Sequence, residues 1–230
     1  MEQKQVVHKL KRHTLVYLNA KSTAGFWENC SSCFPSVSSV ESARKDFPNL
    51  PFIVCRERET DKYIPLGMSF PVIQDNMRTR AGGYILTDDL VTLKTVTPIE
   101  AIAALLKKKS SRSNLALELL KAARVCGVEL GLYGSSALSA VTGLPYMHIG
   151  SDLDMVIYPQ KNVNLNKFEM LSSLLQKQYG IHADFEIETG DGYYAKFQEL
   201  QRGNNTILLK GGKKPLLEDR KKILNRVERL

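Results

Sequence analysis

The sharpest changes of hydrophobic period lie between residues 128 and 187. Apolar residues at 128, 130 and 132 predict a short strand over 128–133, which runs into Gly134-Ser135-Ser136; residues 137–141 then read as a helix. Leu153 and Val156-Ile157 frame Asp152 and Asp154 at alternate positions, the period of a strand. Phe168, Leu171, Leu174 and Leu175 return to helical spacing. Asn166 is the expected cap of that helix, Glu169 stands three residues on, and Gly180 ends it after Tyr179. Residues 181–187 alternate again, with Ala183, Phe185 and Ile187 on one side and Asp184 and Glu186 on the other.

Flanking segments fill out the pattern. Thr97-Pro98-Ile99-Glu100 is a helix start with a cap, a proline at the first position and a glutamate to close a capping box. Ile99, Ile102, Ala103 and Leu106 continue it, and Lys107-Lys108-Lys109 suits its negative end. A second helix is expected over 114–125, stopping at Gly127. Ile207-Leu208-Leu209-Lys210 reads as a late strand, then a Gly-Gly turn and a basic helix from about Pro215. The first 97 residues carry strand signals at 15–18, 51–56 and 90–93. The serine-rich stretch 30–42 reads as a loop or linker, and 63–80, with Pro65 and Pro71, as turns and short irregular pieces. The expected organisation is a small strand-containing domain over 1–97 for recognition or support, and an α+β catalytic domain over 98–230.

Composition narrows the classes. At 230 residues, 43% hydrophobic and 24% charged, the chain can bury a sound core. No apolar run approaches a membrane helix and no signal-like segment follows Met1, so the expected place is the cytoplasm. Four cysteines are too few for a disulfide framework. Cys30 and Cys33 have zinc-like spacing but no second pair, so they are read as reduced thiols. The net charge is +8, densest at the end, where nine basic residues between Arg202 and Arg229 face three acidic ones. A polyphosphate or an acidic protein suits this surplus. Nucleic acid fits less well, because no aromatic residues interleave with the basic ones.

The chemistry is concentrated at Gly134-Ser135-Ser136 and Ser151-Asp152-Leu153-Asp154. Residues i and i+2 of a strand point the same way, roughly 6.6 Å apart along the chain. Like charges so placed raise each other's pKa unless a cation lies between them, and Mg²⁺ is the natural partner of paired carboxylate oxygens. A glycine turn entering a helix offers N–H groups and hydroxyls to a phosphate. No histidine or acid lies beside Ser135 in sequence, so it is read as a phosphate ligand rather than a nucleophile. A strand with a polar edge facing water is the plain alternative for Asp152 and Asp154.

This arrangement resembles the nucleotidyltransferase superfamily, whose pattern is Gly-Ser, a spacer, then Asp-x-Asp. More narrowly, Gly134-Ser135, Thr142-Gly143-Leu144-Pro145-Tyr146 and Ser151-Asp152-Leu153-Asp154 resemble the phosphoribosyl-dephospho-CoA transferases of malonate decarboxylase, also called its holo-acyl-carrier-protein synthases. Arg12-His13 with Leu15-Val16-Tyr17-Leu18 is similar to that family's opening. The resemblance implies a nucleotidyltransferase-like mixed sheet with helices and a Mg²⁺-dependent transfer. The donor it implies is triphosphoribosyl-dephospho-CoA and the acceptor a serine of the apo acyl carrier subunit. It also implies a third carboxylate from a neighbouring strand, Asp184 with Glu186 in reserve, beside Asp152 and Asp154. Lys210, Arg202 and Lys213-Lys214 are candidates to neutralise the leaving diphosphate. Another Mg²⁺-dependent nucleotidyltransferase, adenylylating a protein or small molecule, and a catalytically silent binding module are the alternative readings.

Overall fold

Two sheets, each with its own core, account for the regular structure in the computed structural model, which describes residues 10–55, 62–74, 76–190, 192–202, 205–211 and 215–229. The chain divides into two compact units, 1–97 and 98–230. Among the described residues no helix is long and apolar enough to cross a membrane.

The first unit holds β1 (Leu15–Leu18), α1 (Ala20–Glu28), β2 (Cys30–Phe34), α2 (Val37–Asp46), β3 (Phe52–Val54), β4 (Tyr63–Gln74), β5 (Met77–Leu86) and β6 (Thr92–Val96). The strands lie in the order β2-β5-β4-β3-β1-β6, with antiparallel neighbours. Phe26 of α1 is buried against Phe52 of β3, ring centroids 4.7 Å apart. Two expectations fail here. The serine-rich stretch 30–42 is an edge strand followed by a helix, because Ser36 caps α2 by accepting from the Ser39 N–H. Residues 63–80 are not irregular: β4 and β5 form a long hairpin, and Pro71 falls inside a register shift between Ser69 and Ile73, where a missing N–H is tolerated. Cys30 and Cys33 are free thiols. His13 is buried. Residues 56–61, including Arg56 and Arg58, lie outside the described residues, as do Lys213 and Lys214.

The second unit holds α3 (Pro98–Leu106), α4 (Ser111–Val125), β7 (Val128–Leu132), α5 (Gly134–Thr142), β8 (Leu153–Pro159), α6 (Leu165–Tyr179), β9 (Ala183–Glu188), β10 (Tyr193–Lys196), α7 (Phe197–Gln201), β11 (Thr206–Gly211), β12 (Leu216–Asp219) and α8 (Arg220–Val227). Its strand order is β12-β11-β10-β9-β8-β7. Only the β8–β9 ladder among the described pairs is parallel, which the α6 crossover between those strands makes possible. The sheet is therefore mixed and the fold is α+β. Helix starts differ from the sequence expectation where a polar side chain caps earlier. Ser110 and Ser113 form a capping box that begins α4 at Ser111 rather than 114, and Asn164, not Asn166, caps α6. The segment after Pro215 pairs first as β12, and the helix starts only at Arg220.

The two faces of this sheet have different work. Alternation and the β8–β9 register put Leu153, Met155, Ile157, Ala183, Phe185 and Ile187 on one face, all buried. Phe168 of α6 packs there on Phe185 and Phe197, centroids 5.5 and 6.0 Å away. The opposite face carries Asp154, Val156 and Tyr158 of β8 with Asp184 and Glu186 of β9. Apolar burial on the first face frees the second for chemistry.

Candidate active site

Tyr133 follows β7, and its N–H donates to the Asp154 carbonyl at 3.1 Å, so the turn is registered on β8 before the chain bends. Gly134 then takes φ +61. A Cβ here would lie 2.6 Å from Asp154 Oδ2 and 3.1 Å from its Cγ, so both the left-handed backbone and the space demand glycine. Helix α5 starts at this residue without a side-chain cap, and its first N–H groups keep the partial positive charge of a helix start. The helix begins three residues earlier than the apolar pattern of 137–141 suggests.

Ser135 directs both its donors to Asp154: its N–H, and its Oγ at 3.1 Å from Oδ2. An acid absent from its sequence neighbourhood is thus supplied by β8. Ser136 is different. It is fully buried, its Oγ donates to the Asp152 carbonyl at 3.3 Å and accepts from the Asp154 N–H at 3.0 Å. Expected at the phosphate with its neighbours, it braces α5 against β8 instead. Ser136→Ala is accordingly expected to lose about 1–3 kcal/mol in urea denaturation, because it leaves the Asp154 N–H buried without its partner. Ser135→Ala, at a half-buried hydroxyl, should lose less; equal losses would contradict this division of roles.

Burial pushes the Asp154 carboxyl above the ordinary carboxylate range. The Ser135 hydroxyl and N–H pull it back, while the charges of Asp184 and Asp152 push it further up. The parallel register sets Asp154 opposite Asp184. Asp152 sits just before β8, half exposed, with His182 Nδ1 at 3.4 Å from its Oδ1. Glu186 is buried two pairs further along, opposite Val156 on β8 and Lys196 on β10. Lys210 and Arg202 are exposed, and among the described residues neither is bonded to the three aspartates.

Sequence reading missed two groups. Lys196, at the end of β10, donates from Nζ to Asp184 Oδ2. Arg112 of α4 donates from Nη2 to the carbonyls of His148, Ile149 and Ser151 at 2.7, 2.9 and 3.1 Å, fixing the loop that delivers Asp152. Neither contact leaves a local pattern; the one available signal was Tyr193-Tyr194 ahead of Lys196, an aromatic pair that suits a strand.

Among the described residues no three histidine, cysteine or acidic side chains are gathered closely enough to hold a metal ion. Asp184 is engaged by Lys196 instead. By type, though not by spacing among the described residues, carboxylate oxygens are donors that a hard divalent cation takes. The charges of Asp184 and Asp152 act against that of Asp154, and the ammonium of Lys196 stands on Asp184.

A mixed sheet that sets a glycine-serine helix start beside crowded carboxylates defines a nucleotidyltransferase-like architecture. Residues 99–221, more than half of the chain, match the domain described as "Phosphoribosyl-dephospho-CoA transferase MdcG C-terminal domain". The chain belongs to that family of transferases. A phosphoribosyl-dephospho-CoA transferase of Xanthomonas campestris pv. campestris (strain 8004) is 24% identical over 205 residues, 86% of this chain and 89% of its own. The same figures hold for one from strain ATCC 33913 of that organism. A third, from Bradyrhizobium diazoefficiens, is 26% identical over 98 residues, 43% of each chain. No solved structure matches the chain.

Proposed function

We propose that this chain transfers the phosphoribosyl-dephospho-CoA group from 2'-(5''-triphosphoribosyl)-3'-dephospho-CoA to a serine of the apo acyl carrier subunit of malonate decarboxylase, in the cytoplasm. The observation that carries this reading is the β8–β9 register, which puts Asp184 beside Asp154 at the Gly134-Ser135 helix start. It lies within the stretch that matches the family's domain. In this reading Mg²⁺ would be held by Asp152 and Asp154 with Asp184, and when bound it supplies positive charge to the phosphate chain.

The protein's own groups do the rest. N–H groups at the start of α5, and the Ser135 hydroxyl on turning from Asp154, bind phosphate oxygens. Asp184 takes the proton of the carrier serine as that oxygen attacks the phosphorus nearest the ribose. The bond from this phosphorus to the next bridging oxygen breaks and diphosphate leaves, so a phosphodiester replaces a phosphoanhydride. Lys210 and Arg202 meet the departing diphosphate. Residues 1–97 serve recognition or support.

Diphosphate release at saturating triphosphate and Mg²⁺, in single turnover with apo carrier subunit, tests the assignment. Asp184→Asn is expected to lower the rate on the order of 10²–10⁴-fold, with little change in triphosphate binding by calorimetry. Glu186→Gln, two pairs further from Asp154, should be milder. The reverse order would move the third carboxylate to Glu186.

A further inference from the structure

Lys196 has a charged end placed where the carboxylates crowd. Its register partner on β9 is Glu186, yet its Nζ reaches diagonally to Asp184, the residue opposite Asp154. Diagonal neighbours on one sheet face lie within reach of a long side chain. Its backbone is anchored by the next residue, Phe197, which is buried on Phe168 and Phe185 at centroid distances of 6.0 and 6.3 Å. The contact itself stays open to water: the Lys196 and Asp184 side chains are 30% and 22% exposed. Like charges directly opposite on a ladder repel, and here one ammonium offsets an Asp154–Asp184 pair. A rigid base, a long chain and a solvent-accessible charge suit an exchangeable counterion better than a fixed strut.

We propose that Lys196 is a resident counterion: it occupies the third carboxylate while the site is empty, and releases Asp184 to move onto the phosphate chain when divalent metal and triphosphate enter. This rests on the transfer reaction proposed above. It explains how Asp184 is both tied to a lysine and available to the acceptor hydroxyl. It also gives the phosphate chain a cation from within the carboxylate face, which the exposed Lys210 and Arg202 do not provide in the free protein.

The test is binding rather than turnover. Mn²⁺ affinity is measured by electron paramagnetic resonance, and tripolyphosphate affinity, at fixed Mg²⁺, by calorimetry. Removing one unit charge a few ångströms from a half-exposed site should tighten Mn²⁺ on the order of tenfold in Lys196→Met. Tripolyphosphate should weaken by a similar factor, and Lys196→Arg should stay near wild type in both. A merely structural ion pair predicts lower thermal stability with no gain in Mn²⁺ affinity. That result, or weaker Mn²⁺ binding, overturns the proposal.

A second measurement needs no variant. Acetylation of Lys196 in the wild-type protein, followed by peptide mass spectrometry, should rise several-fold on adding Mn²⁺ and fall again with tripolyphosphate. Unchanged labelling overturns the proposal equally. If wild-type protein binds no Mn²⁺, the metal-dependent transfer reading fails and this inference with it. If it binds Mn²⁺ and Asp154→Asn loses that binding while Lys196→Met matches wild type, the inference alone fails.

Discussion

Asp154→Asn is expected to abolish transfer and at the same time make the metal-free protein more stable. Asparagine keeps the shape of the side chain and an oxygen for the Ser135 hydroxyl, so the α5 start stays in place. What it removes is a half-buried negative charge facing Asp184 and Asp152. Loss of that charge should slow transfer on the order of a thousandfold, the scale of a group that stabilises transferring phosphoryl charge.

The stability effect has a definite sign with pH. The folded carboxyl holds its proton more tightly than the unfolded one, so ionisation disfavours the native state. Below the unfolded pKa, about 3.9, both states are protonated and the variant has no electrostatic advantage. The advantage opens as pH rises past that value and is complete once the raised folded pKa has been passed. Thermal melts of both proteins across this range, in chelator, check it. A variant less stable than wild type at neutral pH would contradict the assignment of Asp154 as a strained, cation-seeking group.

Gly134→Val should be the most damaging single change in the turn. A branched residue at φ +61 costs on the order of 1–2 kcal/mol in backbone strain alone. Its Cβ would also meet Asp154 Oδ2 at 2.6 Å, and that oxygen cannot retreat without leaving Ser135. The expected outcome is loss of transfer together with a lowered Tm, in contrast to Asp154→Asn, where the two move in opposite directions. Gly134→Ala should fall between wild type and valine in both measures. Near wild-type turnover in Gly134→Val would show that the turn does not approach the reacting phosphate.

Short-range pattern made much of this legible. Alternation placed Asp154 on β8, while Asp152, expected on the same strand face, falls just before the strand; the Gly-Ser pair marks a helix start because few residues can make that turn. The β8–α6–β9 unit was readable because each element has its own period. Lys196 was not, since its meeting with Asp184 depends on how two strands pair across a turn, and pairing register leaves no trace in a short segment. Arg112 was hidden in the same way, 36 to 39 residues from the carbonyls that it holds. Ser136 misled for a different reason. Neighbouring serines look alike in sequence, yet the first turn of a helix sends Ser135 to the carboxylate and Ser136 into the core. In the first unit, serine was weighed as a loop former although Ser36 caps a helix, and proline as a breaker although Pro71 sits at a register shift.

The measurement closest to the central claim is intact-mass analysis of the apo carrier subunit after incubation with Mg²⁺, 2'-(5''-triphosphoribosyl)-3'-dephospho-CoA and this protein. The carrier should gain the mass of one phosphoribosyl-dephospho-CoA group, on a single serine, with one diphosphate released, and should gain nothing when Asp154→Asn replaces the wild type. A carrier of unchanged mass with folded wild-type protein, or one that gains an adenylyl group when ATP is offered in place of the triphosphoribosyl donor, would contradict it.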